Sequence, residues 1–201
     1  ERERGITIKL QPARMCHKKD GVEYELNLID TPGHVDFAYE VSRSIAAVEG
    51  CIILVDATQG VQAQTIAHLY LAIDYGLEVI PVLNKIDLPA AEVDRRATEL
   101  MKLVGCSRED IICVSGKTGE NVHTLLDAVV DKIPSPIGDI DAPTRALIFD
   151  SLYDDYQGVI AYVRVKDGAF KKNDAIKFLA TGSHGSITEL GYLIPRRVEN
   201  D

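Results

Sequence analysis

The apolar positions keep more than one period along the chain: alternation near the start, unbroken apolar runs interleaved with helical stripes through the middle, and alternation again toward the end. Gly5-Ile6-Thr7-Ile8-Lys9-Leu10 clusters β-branched residues and starts a strand. Lys18-Lys19-Asp20-Gly21 supplies a turn, and residues 22–29 alternate, so the two arms form an antiparallel hairpin. The second arm carries Leu26 and Leu28 on one pleat face and ends at Asp30, after which Pro32-Gly33 turns the chain. Phe37, Val41, Ile45 and Val48 then recur at helical spacing, which predicts an amphipathic helix over 35–48.

From Gly50 the pattern alternates between elements. Residues 51–55 form a continuous apolar run of the kind found in a buried parallel strand, ending at Asp56. A helical stripe through Ile66, Leu69, Tyr70 and Ile73 follows, then an apolar run over 78–83 ending at Asn84. Val93, Ala97, Leu100, Met101 and Val104 mark the next helix, stopped at Gly105. A strand over 111–114 ends at Ser115, and Val122, Leu125, Leu126 and Val129 line a last helix. Three βα units in succession predict an α/β domain, doubly wound, with a parallel sheet covered by helices on both faces. Residues 133–143 hold three prolines without periodicity and read as a linker. Beyond it 145–149, 159–165 and 175–179 read as strands. In the middle one Val159, Ala161, Val163 and Val165 share one face, and Ile160, Tyr162, Arg164 and Lys166 the other. This is the start of a β-barrel or sandwich, with fewer strands than closure needs.

The 201 residues are 46% apolar and 26% charged, a globular composition with room for one domain and part of a second. A net charge of −9 and a pI near 5.0 argue against binding nucleic acid through bulk charge, while leaving a local patch on a large RNA-containing partner open. Lys171-Lys172 and Arg196-Arg197 are candidates for such a patch, and solvated surface pairs are the better explanation of them. Cys16, Cys51, Cys106 and Cys113 lack metal-ligand spacing and read as reduced thiols, most of them in the core, of a cytoplasmic protein. No apolar run approaches the roughly 20 residues that span a bilayer, and the opening Glu1-Arg2-Glu3-Arg4 is no signal peptide. Without an initiator methionine, the chain is expected to continue upstream.

Polar groups stand at the carboxyl ends of successive strands: Asp30, Asp56, Asn84 and Ser115. Ligands of open parallel sheets bind at such ends. Asn84-Lys85-Ile86-Asp87 is the most informative of these stretches. A guanine edge offers a carbonyl acceptor beside imino and amino donors, so the Asp87 carboxylate could accept two hydrogen bonds from guanine and none of that pattern from adenine. Asn84 could fix the loop or meet a purine nitrogen, the Lys85 stem could lie across the base, and a backbone N–H of Ser115-Gly116-Lys117 could meet the carbonyl. Taken singly, each stretch also fits a duller account: a solvated turn before Pro89, a capping Asp30 or Thr31, an idle surface His34, a strand-start Thr7.

Together, Gly5-Ile6-Thr7, Asp30-Thr31-Pro32-Gly33-His34, Asn84-Lys85-Ile86-Asp87 and Ser115-Gly116-Lys117 resemble the second to fifth signature motifs of translational GTPases. Residues 1–9, 37–44, 79–91 and 148–177 resemble the elongation factor 4, or LepA, family. The resemblance implies a P-loop GTPase-type, mostly parallel sheet in a GTP-binding domain (1–133), a linker (134–143) and the start of a truncated β-barrel domain (144–201). It implies GTP and GDP as ligands with magnesium, hydrolysis of GTP during protein synthesis, and the ribosome and its tRNAs as partners. Thr7 would bind magnesium and close on the γ-phosphate, with Ile6 beside it as one side of an apolar gate. Asp30 would hold the ion through a water, the Gly33 N–H would bond the γ-phosphate, and His34 would position the attacking water. Asn84, Lys85, Ile86, Asp87, Ser115, Gly116 and Lys117 would hold the base.

Two departures stand out. Gly116 replaces the usual alanine, and no G-x-x-x-x-G-K-[ST] phosphate loop occurs anywhere. In the family that loop precedes Thr7, and its strand lies between those of Leu26 and Cys51, so a longer parent is expected, and the 201 residues alone are expected to bind GTP weakly and not to turn it over. The alternatives are an elongation factor G or BipA-type GTPase, or a non-catalytic domain serving as an interaction module.

Overall fold

The computed structural model describes residues 10–32, 38–194 and 196–200. Their contacts group them into two compact units, residues 32–136 and residues 10–31 together with 137–200.

The first unit is built on a three-stranded parallel sheet. Strands β3 (Gly50–Asp56), β4 (Glu78–Asn84) and β5 (Ile112–Cys113) lie in the order β3-β4-β5. The long register from Gly50↔Glu78 to Asp56↔Asn84 sets the last residues of β3 and β4 side by side. Alternation along these strands sorts their apolar side chains onto two faces. On one face Ile53, Val55 and Leu83 pack with Leu69 of α2 (Ala63–Asp74) and with Ala97 and Leu100 of α3 (Val93–Val104). On the other, Ile80 and Val82 meet Val114, with Leu125 and Val129 of α4 (Val122–Lys132) against them. Ile80, Val82, Leu83 and Leu100 are fully buried, each contributing about 1.5–3 kcal/mol of transfer free energy. Helices on both faces of a parallel sheet match the expected architecture.

The last strand is shorter than the expected 111–114. Only Val82 and Leu83 find ladder partners in it, although the Val114 N–H still donates to the Leu83 carbonyl at 2.7 Å. The helix expected over 35–48 is described as α1 (Ala38–Ile45), with Val41 and Ile45 buried. Residues 33–37 lie outside the described residues. The thiols also depart from expectation. Cys51, Cys106 and Cys113 are only partly buried beside the α2–α3 core, and Cys16 is exposed, so none belongs to the fully buried core. Burial still pushes the Cys51 thiol up to about 11.

The second unit holds antiparallel pairs. β1 (Gln11–Lys19) and β2 (Val22–Asp30) form a hairpin about the expected Asp20-Gly21 turn, in register from Gln11↔Asp30 to Lys19↔Val22; the strand start expected over 5–10 lies, but for Leu10, outside the described residues. β6 (Arg145–Asp154) pairs with β7 (Gly158–Asp167), β8 (Ala175–Lys177) with β9 (His184–Ser186), and β10 (Leu190–Ile194) with β11 (Arg196–Asn200). These pairs are consistent with part of a barrel. The half-buried face of β7 is the one with Ile160, Tyr162, Arg164 and Lys166, and Phe149 stacks on Tyr162 there. Val159, Ala161, Val163 and Val165 face solvent. The linker is tied to the end of β7: Gly168 N–H donates to the Asp139 carbonyl at 2.8 Å, and Arg145 Nε to Asp167 at 2.7 Å. Among the described residues no helix is long and apolar enough to cross a membrane.

Among the described residues β2 is hydrogen-bonded to β1 alone, as expected of a hairpin arm whose other neighbour is a strand outside these residues, and Leu28 on it is 40% exposed.

Candidate functional site

Three successive strand ends of the first unit carry the polar groups. β3 ends in Asp56, β4 in Asn84, and Ser115 follows β5 after Val114. Because Asp56 and Asn84 are register partners, whatever follows Asn84 begins beside the Asp56 carboxylate. The residue that follows is Lys85, with a left-handed backbone (φ 65°). That conformation turns its side chain back, and its ammonium reaches Asp56 Oδ2 at 2.7 Å.

The two loops expected to hold a base are stitched together by side chains. Asn84 Oδ1 accepts from its neighbour's N–H, Lys85, at 2.7 Å and from Gly116 N–H at 3.0 Å. With its oxygen so engaged, the Asn84 amide keeps its NH2 donors for another acceptor. Ser115 Oγ donates to Asp87 Oδ1 at 2.7 Å and accepts from Thr118 N–H at 3.1 Å. Ser115 is fully buried, and its own N–H and carbonyl are satisfied by Glu120 and Gly119. This buried hydroxyl fixes the orientation of the Asp87 carboxyl group, and Oδ2 has no hydrogen bond to the described residues. Gly116 is compatible with alanine, since an added Cβ would meet Asn84 at an ordinary 3.7 Å. Its N–H is spent on Asn84, which leaves the Lys117 N–H as the backbone donor at that end.

Electrostatics follow the geometry. Partial burial by itself would push the Asp56 carboxyl up. The Lys85 ammonium and the Thr58 hydroxyl and N–H outweigh that and hold it at about 2. Thr58 donates from both groups to Asp56 Oδ1, at 2.6 and 2.8 Å.

The sequence-predicted site residues divide by place. Asn84, Lys85, Ile86, Asp87, Ser115, Gly116 and Lys117 are brought together in the first unit. Asp30 ends β2, opposite Gln11, in the second unit. Thr7, Gly33 and His34 lie outside the described residues. No group of three or more His, Cys, Asp or Glu able to hold a metal is found among the described residues. Asp56 and Thr58 are the additions. Asp56 shows the same signal as Asn84, an acidic or amide group ending a buried strand, but belongs to no recognised motif.

A carboxylate acceptor, an amide donor and a backbone N–H stand on the two stitched loops, the group types that a guanine edge, and not an adenine edge, would pair with. Residues 1–135 match the family model of the elongation factor Tu GTP binding domain. The chain belongs to that family. Within it, the chain is similar to "Elongation factor 4" of Micrococcus luteus, 60% identical over 198 residues that cover 98% of this chain and 32% of that protein. It is also similar to "Elongation factor 4" of Synechocystis sp., 58% identical over 200 residues, 99% of this chain and 33% of that one. The chain therefore spans about a third of the length of these relatives. Its fold resembles that in a crystal structure of the bacterial selenocysteine-specific elongation factor EF-Sec. The TM-score is 0.74 over 98% of this chain and 34% of that one, at 22% identity. The resemblance to the elongation factor 4 family and the expected fold class are both borne out.

Proposed function

We propose that this chain contributes the guanine-nucleotide-binding domain and the opening of the following β-barrel domain to a ribosome-associated GTPase of the elongation factor 4 type. In that reading residues 1–133 are the GTP-binding domain, 134–143 the linker and 144–201 the barrel's first part. The observation that carries it is the pair of side-chain stitches, Asn84 to Gly116 and Ser115 to Asp87. Together they hold an acceptor and donors in the pattern a guanine edge requires.

The roles follow from that arrangement. Asp87 accepts from the imino and amino groups of the base, the Asn84 NH2 meets a purine nitrogen, and the Lys117 N–H meets the carbonyl. The Lys85 stem covers one face of the ring. On the phosphate side, family resemblance gives magnesium to Thr7 and, through water, to Asp30, a donor set of hard oxygens that suits that ion. It gives the γ-phosphate to Gly33 and the placing of the attacking water to His34. Phosphoryl transfer asks the protein mainly for positioning and charge stabilisation. The remaining cradle for the phosphates is assigned to a loop carried on a strand pairing along β3. That assignment is supported by β3 being an edge among the described residues, with Leu54 on it 53% exposed. The protein would work in the cytoplasm on ribosomes carrying tRNA, remodelling or reversing a translocated state.

The test is base specificity in the full-length parent. Asp87→Asn replaces an oxygen acceptor by an amide that also donates, so preference is expected to move from GTP toward XTP by roughly 10-fold or more, the scale of one to two mismatched hydrogen bonds. An unchanged GTP over XTP ratio overturns the site.

A further inference from the structure

We propose that Asp56 is a positioning residue for the purine site, acting through Lys85: it tethers the lysine ammonium at the end of β3, laying the aliphatic stem across the base-binding face before nucleotide arrives. This rests on the guanine reading above and adds a residue to it. The tether is direct, 2.7 Å from Nζ to Oδ2. The stem it holds is otherwise free to move, since the Lys85 side chain is 51% exposed and an exposed lysine samples many rotamers. Ordering such a side chain on binding costs about 0.5–1.5 kcal/mol. A lysine already tied down spares the nucleotide that cost.

The anchor is itself anchored. Asp56 divides its oxygens: Oδ2 takes the ammonium, and Oδ1 takes the hydroxyl and N–H of Thr58. The Asp56 carbonyl accepts from Gln59 and Gly60 N–H, closing a tight loop. Arg96 of α3 underpins that loop. Its guanidinium pairs with Glu92 at 3.0 Å and Glu99 at 2.9 Å, and reaches the Thr58 carbonyl at 3.5 Å. Gly60 (φ 80°) lets the loop sit directly on this group, because a Cβ there would fall 2.4 Å from Arg96 Nη1. A continuous set of contacts thus runs from α3 through the loop to Asp56 and on to Lys85.

The division of oxygens suggests the variant. In Asp56→Asn the remaining Oδ1 still serves Thr58, while the NH2 group faces the ammonium in place of Oδ2. Lys85→Met keeps an apolar stem and removes the charge that the tether needs. In the full-length parent, GDP and IDP dissociation constants are measured by titration calorimetry for wild type, each single variant and the pair. Either single variant is expected to weaken both nucleotides by about three- to tenfold with the GDP:IDP ratio unchanged, because a stem lying on the ring face does not read its edge. The double variant is expected to be no weaker than Lys85→Met alone. An Asp56→Asn effect that persists in the Lys85→Met background, or no loss in either single variant, overturns the proposal. If Asp56→Asn does not fold, Lys85→Met alone decides by the same loss at constant ratio. Failure of the underlying reading shows separately, as wild type binding ADP as tightly as GDP.

Discussion

Lys85 holds a backbone conformation that costs a residue with a Cβ roughly 1–2 kcal/mol, and it is kept by bonds at both ends of the residue. Its N–H donates to Asn84 and its ammonium to Asp56. Strain of that kind persists only where surroundings over-determine it. The same ion pair predicts a pH dependence. The Asp56 carboxyl is depressed from 3.8 to about 2, so its contribution to stability is present above the unfolded value and is lost as pH falls from about 4 through about 2. Urea unfolding of the parent between those limits is expected to show a decline that Asp56→Asn reduces. Asp110 and Asp167 retain their share, the first depressed chiefly by the Ser107 hydroxyl and the second by Arg145. At this scale the residues proposed to read the base stood out because residue type states their chemistry: a carboxylate can accept from paired donors wherever it stands. Lys85's partner did not, because Asp56 lies 29 positions away and only the β3–β4 register brings the two together.

Helix α3 shows what an element's end requires. Gly105 takes φ 77° and its N–H returns to the Met101 carbonyl at 2.8 Å, the left-handed close that glycine makes without a steric penalty. Gly116, by contrast, has no positive φ, and an added Cβ would make only ordinary contact with Asn84. Gly105→Ala is therefore expected to destabilise by about 1 kcal/mol and Gly116→Ala to be neutral or stabilising by up to about 1 kcal/mol. Chemical denaturation midpoints separate the two. Gly105 was readable as a stop, since it follows the last apolar position of a helical stripe. Helices and strands of the first unit were likewise legible, because unbroken strand runs and the helical period differ plainly between them. β5 was not: the run Ile111 to Val114 is apolar throughout, and its ladder closes after two residues because Val114 leaves the pairing to bond Leu83 and Ile86 singly.

For the molecule as a whole, the parallel sheet was legible. Alternation in β2 states that one face can be buried without saying against what, and the hairpin groups with residues 137–200. Arg14 of β1 lies over the Tyr192 ring at 4.1 Å within that unit. β7 carries the same ambiguity in the reverse sense, with its all-apolar face turned outward and its face with Arg164 and Lys166 half-buried. The other open feature is the free side of β3. Its run Cys51-Ile52-Ile53-Leu54-Val55 has no charge and no proline, and among the described residues it is hydrogen-bonded only to β4. Such an edge is a template for any extended chain that reaches it, including a second copy of itself. For the 201 residues handled alone, concentration-dependent self-association is expected. Leu54→Lys, placing a charge on the 53% exposed position, is expected to raise the concentration at which light scattering first climbs, while the same change in the parent is expected to lower the melting temperature.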